Sequence, residues 1–170
     1  MKNFPFTHKG QEYWYSRSVA AGVVLITTDE NNDKYLLTIK RGSAVEHPHK
    51  WSVPCGYLDF DETIQGCAFR ELYEEVGLDL QSLYDKEQYE EIMKFLSAIC
   101  IDNPNTSSKQ NITFLYKLWI PNGLSLPITN AHCDPNEIDE VKWLKLTDYN
   151  SVDWAFNDIF KKQVREWLQV

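Results

Sequence analysis

Glu62, Arg70, Glu71, Glu74 and Glu75 are the residues of this chain whose types and spacing could do chemistry. Glu71, Glu74 and Glu75 stand at i, i+3 and i+4, the spacing that makes side chains neighbours on a helix, where like charges repel. A helix is predicted here. Asp61, Glu62 and Thr63 suit a helix start, with acidic groups for the first turn and Thr63 as N-cap. Gly77 tolerates the left-handed conformation that ends a helix. The helix is therefore expected from Ile64 to Val76.

Projected at about 100° per residue, Ile64, Cys67, Ala68 and Leu72 share one stripe. Glu71, Glu74 and Glu75 fall on the same side, while Phe69 and Tyr73 lie on the other and need a separate packing partner. A Glu-rich helix face is usually solvated. These carboxylates instead point toward the packed side, where an unpaired charge is costly. A bound cation is the economical explanation. Carboxylate oxygens suit Mg2+ or Mn2+, with water and a substrate phosphate completing the coordination. The spacing is wrong for an EF-hand loop, and no Cys/His set accompanies it for zinc. Arg70 is placed to pair with Glu62 and so orient the loop before the helix.

From Gly56 to Leu78 the chain reads G-x5-E-x7-R-E-U-x-E-E-x-G-U, with U aliphatic. This stretch resembles the signature box of the Nudix family at every specified position. The resemblance implies an α/β fold, an α/β/α sandwich around a mixed β-sheet. It also implies Mg2+- or Mn2+-dependent hydrolysis of a nucleoside diphosphate linked to another group, such as a nucleotide sugar, ADP-ribose or a nucleoside triphosphate. Glu71, Glu74 and Glu75 would hold the metal, and a carboxylate, Glu74 or one downstream, would accept a proton from the attacking water. Glu75 is counted with the catalytic set, and Glu62, Arg70 and Gly77 would be structural. Nudix proteins often show a Glu-rich turn before a short strand with Trp, and Asn136–Leu144 looks similar. Glu137 is the candidate there for an extra ligand or base, ahead of Glu140.

Two other functions are weighed. A sensing module would keep the fold without turnover, but such relatives usually have an eroded box. An activity like isopentenyl-diphosphate isomerase would bring an upstream cysteine segment that is absent here. The lead-in W-x-x-P-G-G of Nudix proteins carries Cys55 in place of its first Gly, so the backbone there must take a negative φ or be strained. Cys55 as a nucleophile finds no activating base beside it in sequence.

These residues need a scaffold. The chain has 170 residues, 43% of them hydrophobic and 14% aromatic, enough for one domain with a proper core. No apolar run could span a bilayer, and the N-terminus lacks the apolar core of a signal peptide, so a cytoplasmic protein with no membrane partner is expected. A net charge of −8 favours a small-molecule partner over a polynucleotide. The four Cys form no CxxC and read as reduced thiols.

Residues 1–15 are read as an aromatic arm or hairpin, which permits a homodimer. Ser18–Thr28 reads as a strand buried on both faces, turning through Asp29–Asp33 into Lys34–Arg41. Arg17 and Arg41 flank this hairpin and, with Gly56, are candidate substrate contacts; for Arg17 a surface ion pair is the competing reading. Gly42–Lys50, with His47 and His49, is a solvated or substrate-flanking loop. Asp79–Glu91 has room for a short helix. Ile92–Ile101 and Asn111–Ile120 read as a second hairpin, Pro121–Pro135 as irregular. Trp154, Phe156, Ile159, Phe160, Val164, Trp167 and Leu168 recur at helical spacing, predicting a C-terminal helix from Asp153.

Overall fold

A computed structural model describes residues 4–102, 111–131, 133–156 and 158–169. The first half folds as β1 (Phe4–His8), β2 (Gln11–Tyr15), β3 (Val19–Thr28), β4 (Lys34–Arg41), β5 (Trp51–Ser52) and β6 (Cys55–Tyr57). Helix α1 (Ile64–Val76) follows, then α2 (Leu80–Leu83), α3 (Lys86–Met93), β7 (Ser97–Asp102), β8 (Ile112–Ile120), β9 (Ile138–Lys145) and α4 (Asp158–Leu168). None of the described helices is long and apolar enough to cross a membrane.

Seven strands form one mixed sheet around β3. β3 and β8 run parallel, in register from Val19 opposite Ile112 to Thr27 opposite Ile120, and the other pairings are antiparallel. On its other edge β3 divides its partners. Its first residues pair with β6, Gly22 opposite Cys55 and Ala21 opposite Gly56, and its last pair with β4, Ile26 opposite Leu36. Beyond Leu36 β4 leaves β3, while it stays paired with β9 from Tyr35 to Arg41. That division leaves room for the short strand β6 to lie beside α1.

The sheet is covered on both faces, as an α/β/α sandwich requires. Successive side chains of a strand point to opposite faces. Ala21, Val23 and Leu25 pack with Cys67, Ala68, Leu72 and Val76 of α1, while Val24 and Ile26 pack with Val164 and Leu168 of α4. This is why β3 reads as a continuous apolar run and not as an alternation. Leu72 is fully buried; truncating it to Ala would cost about 2–5 kcal/mol.

Two expected boundaries move. The strand expected from Ile92 begins at Ser97, because α3 runs on through Met93. An Asp85–Gln88 capping box starts that helix, and Ile92 packs on the α1 core. The C-terminal helix begins at Asp158, not Asp153. Residues 153–155 are instead drawn to the sheet edge: Trp51 N–H donates to Asp153 O at 2.9 Å, and Ala155 N–H donates to Trp51 O at 2.8 Å. The aromatic N-terminus forms the separate hairpin β1–β2, with Phe4 stacked on Tyr15 and Phe6 on Tyr13 on an exposed face.

Candidate active site

The ends of α1 are set locally. Thr63 is the N-cap and its Oγ1 accepts from Gly66 N–H at 3.0 Å. Gly77 closes the helix at φ 74°, and its N–H donates to Tyr73 O at 2.8 Å. Between these caps the apolar stripe is buried against β3; of the carboxylates on its last turns Glu71 and Glu75 turn to β6, while Glu74, expected on the packed side, is exposed.

The closest approach is between Glu71 and β6. A Cβ built on Gly56 would stand 2.1 Å from Glu71 Oε1, so the carboxylate lies where only glycine leaves space. The next contact is at Cys55, whose N–H donates to Glu75 Oε2 at 2.8 Å. Neither Cys55 nor Gly56 has a positive φ, so the Cys in the lead-in is accommodated without backbone strain. The strained residue is Asp61, at φ 62°, in the loop between β6 and α1.

Arg70 is the hub of the cluster. Its Nε and Nη2 donate to the two oxygens of Glu62 at 2.9 and 3.1 Å, a fork-like grip on one carboxylate. Nη2 also donates to Tyr57 O at 3.1 Å, tying the loop to the helix. Nη1 reaches Glu71 Oε1 at 2.7 Å and Glu74 Oε2 at 2.9 Å. The Arg70 bonds hold the Glu62 carboxyl below its ordinary range. Glu71 moves the other way, raised by burial against the opposing pull of Arg70.

Glu75 is pushed up to about 8, chiefly by burial; the Cys55 hydrogen bond and Arg41 act downward, and Glu71 and Glu137 act upward. Arg41 and Glu137 are therefore close enough to Glu75 to act on its charge. Strand pairing brings this about: Arg41 ends β4 opposite Ile138, and Gly42 N–H donates to Glu137 O at 2.6 Å.

Arg17 forms an ion pair with Asp102 at the end of β7 and donates to Asn111 O at 3.4 Å. Glu140 is exposed on β9, opposite Lys40. His49 Nδ1 lies 2.7 Å from Asp139 Oδ2, so that loop is fastened to the start of β9, two residues after Glu137. Burial pushes the Cys55 thiol up to about 12, with the Glu75 charge adding to it, so it stays protonated and is no nucleophile at neutral pH. Sequence reasoning missed Cys133, whose Sγ–H donates to Glu74 O at 2.8 Å, and the Cys55 amide. The first is a contact distant in sequence and the second a backbone group, and neither leaves a side-chain signal.

The donor set fits a hard divalent cation in its chemistry. Glu71, Glu74 and Glu75 offer only carboxylate oxygens, and the burial that raises Glu75 is what a bound positive charge would offset. Among the described residues no three His, Cys, Asp or Glu side chains converge as a ready-made metal cage.

With this geometry in view, the similarity to known proteins is informative. The NUDIX domain model matches residues 16–168. The chain belongs to the Nudix hydrolase family. It is 29% identical to the RNA pyrophosphohydrolase of Bartonella tribocorum, over 72% of this chain and 73% of that protein. Two solved structures share the fold. A bifunctional NMN adenylyltransferase/ADP ribose pyrophosphatase from Francisella tularensis, complexed with AMP and a Mn ion, matches at TM-score 0.68 and 21% identity. The match covers 91% of this chain and 42% of that longer one. The NUDIX domain of Shewanella oneidensis NrtR, complexed with ADP ribose, matches at TM-score 0.64 and 19% identity, over 91% of this chain and 90% of that one.

Proposed function

We propose that this protein hydrolyses the pyrophosphate bond of a nucleoside diphosphate linked to a further group, using Mg2+ or Mn2+. The observation that carries this reading is the presentation of Glu71, Glu74 and Glu75 by one helix beside Gly56, with Arg41 and Glu137 in electrostatic reach. Glu71, Glu74 and Glu75 would hold the cation, which supplies charge neutralisation for the diphosphate and a lowered pKa for bound water. Gly56 gives up its side-chain space to the Glu71 carboxylate, so a cation held there, and a phosphate bound to it, lie close to β6. Arg41 contributes positive charge at the same place, where it offsets phosphate oxygens in an otherwise acidic site. Glu137 or Glu74 accepts the proton as water attacks phosphorus. A displacement of this kind depends on positioning and electrostatics more than on covalent chemistry by the protein.

The test is product release with Mg2+ across a panel: ADP-ribose, a nucleotide sugar, a dinucleoside polyphosphate, nucleoside triphosphates and 5′-triphosphorylated RNA. At least one is expected to turn over, and Glu71→Gln and Glu75→Gln are expected to lower kcat by about 100-fold or more. Mg2+-dependent turnover left intact in both variants would overturn the assignment.

A further inference from the structure

Arg70 makes two kinds of contact. One edge of the guanidinium, Nε and Nη2, is anchored on Glu62 and on the Tyr57 carbonyl. The remaining nitrogen, Nη1, is shared between Glu71 Oε1 and Glu74 Oε2. Those are two of the three carboxylates assigned to the cation. The third, Glu75, bonds instead to the Cys55 amide. Carboxylates at this spacing repel unless a positive charge lies between them. Here Nη1 supplies it.

We propose that Arg70 is a built-in counter-cation, which a divalent ion displaces from Glu71 and Glu74 while the Glu62 anchor stays closed. The proposal rests on the cation site assigned above. The guanidinium is thereby both the positioner of the β6–α1 loop and the competitor that sets how tightly the cation is held. The two anchored donors fix the planar guanidinium, so Glu71 and Glu74 can turn from Nη1 to the ion without the Arg70 side chain leaving its pocket.

Competition fixes the sign of two substitutions. Arg70→Gln removes the competing charge, so the substrate-free protein should bind Mn2+ tighter, by roughly tenfold, the scale of one lost charge-assisted hydrogen bond. Glu62→Gln keeps the charge but weakens its anchor. The guanidinium then turns more fully to Glu71 and Glu74, and Mn2+ should bind more weakly. An Arg70 that served only as scaffold would weaken binding in both variants. Mn2+ titration followed by electron paramagnetic resonance reads the affinities, with thermal unfolding on the same samples as the check on folding.

If Arg70→Gln does not fold, side-chain NMR of arginine-labelled wild-type protein takes its place. Adding Mg2+ should release the Arg70 Nη1 protons to faster exchange while the Nε proton stays protected. Weaker or unchanged Mn2+ binding by folded Arg70→Gln, or an Nη1 signal indifferent to saturating Mg2+, overturns the proposal alone if the wild type binds the ion and turns substrate over. A wild type that binds no Mn2+ overturns the cation site as well.

Discussion

Glu71 sits over Gly56 so closely that a methyl group on Gly56 would stand 2.1 Å from Oε1 and 2.3 Å from the carboxyl carbon. The atoms it would meet belong to the far end of a flexible side chain. Gly56→Ala should therefore displace the carboxylate and leave the fold standing. The expected loss of stability is within about 1 kcal/mol, while cation affinity and turnover both fall, turnover by about tenfold or more. Urea unfolding and Mn2+ titration on one preparation check this. A variant with full activity would show that Glu71 works from another position.

The pH dependence follows from Glu75. Its folded value near 8 lies above the ordinary carboxylate value of 4.5, chiefly through burial. The folded chain thus holds this proton more tightly than the unfolded chain. Stability from Glu75 is complete below the unfolded value and is lost as pH rises through about 8. For metal-stripped protein the unfolding free energy should fall between the ordinary value of 4.5 and about 8, by at most about 1.4 kcal/mol per pH unit, and the thermal midpoint should fall with it. Glu62 acts with the opposite sign. Its lowered value gives stability that is present above its unfolded value and lost as pH falls. Glu75→Gln should flatten this decline between about pH 4.5 and 8. Mg2+ should stabilise more at the alkaline end, since ion and proton compete for one carboxylate. A decline over that window identical in wild type and Glu75→Gln would place its source elsewhere.

What the sequence made legible is mostly local. The helix from Ile64 to Val76, its Thr63 and Gly77 caps and the Arg70–Glu62 pair depend on residues a few positions apart, or on one loop. The α3–β7 boundary was harder, because Ile92–Ile101 is an apolar run without a decisive period. The Asp85–Gln88 capping box was the available sign that a helix begins there. The start of α4 was hidden for another reason. Trp154 fits the helical spacing, yet it is fixed by the Tyr149 carbonyl and by a bridge to Trp51, both matters of tertiary packing. The meeting of Arg41, Glu75 and Glu137 was invisible too, since it depends on the register of β4 against β9.

Gly42 tests the place of Glu137. A Cβ there would lie 2.3 Å from Asn136 O and 2.8 Å from the Glu137 carbonyl carbon. Unlike the neighbour of Gly56, this one is backbone and cannot swing aside. Gly42→Ala should cost about 1–3 kcal/mol and shift the turn that carries Glu137. If Glu137 accepts the proton, kcat falls in both Gly42→Ala and Glu137→Gln, and the double variant loses less than the product of the two. Wild-type kcat in Glu137→Gln would remove it from the chemistry and leave the stability loss of Gly42→Ala as predicted.

The far face of the sheet should separate stability from activity. Tyr149 is fully buried, and its hydroxyl donates to Lys161 O at 3.2 Å, which fastens α4. Trp154 Nε1–H donates to Tyr149 O at 2.6 Å, and the two rings lie 4.7 Å apart. Tyr149→Phe keeps the packing and loses one hydrogen bond, an expected cost of about 1 kcal/mol. Trp154→Ala opens a cavity and orphans a carbonyl, an expected cost of about 3–5 kcal/mol. Both residues pack with the α4 core, on the opposite side of the sheet from α1. Below their unfolding transitions both variants should therefore keep wild-type Mn2+ affinity and kcat. A loss of Mn2+ affinity in folded Tyr149→Phe would mean that the two faces are coupled through β3, the strand that both cores share.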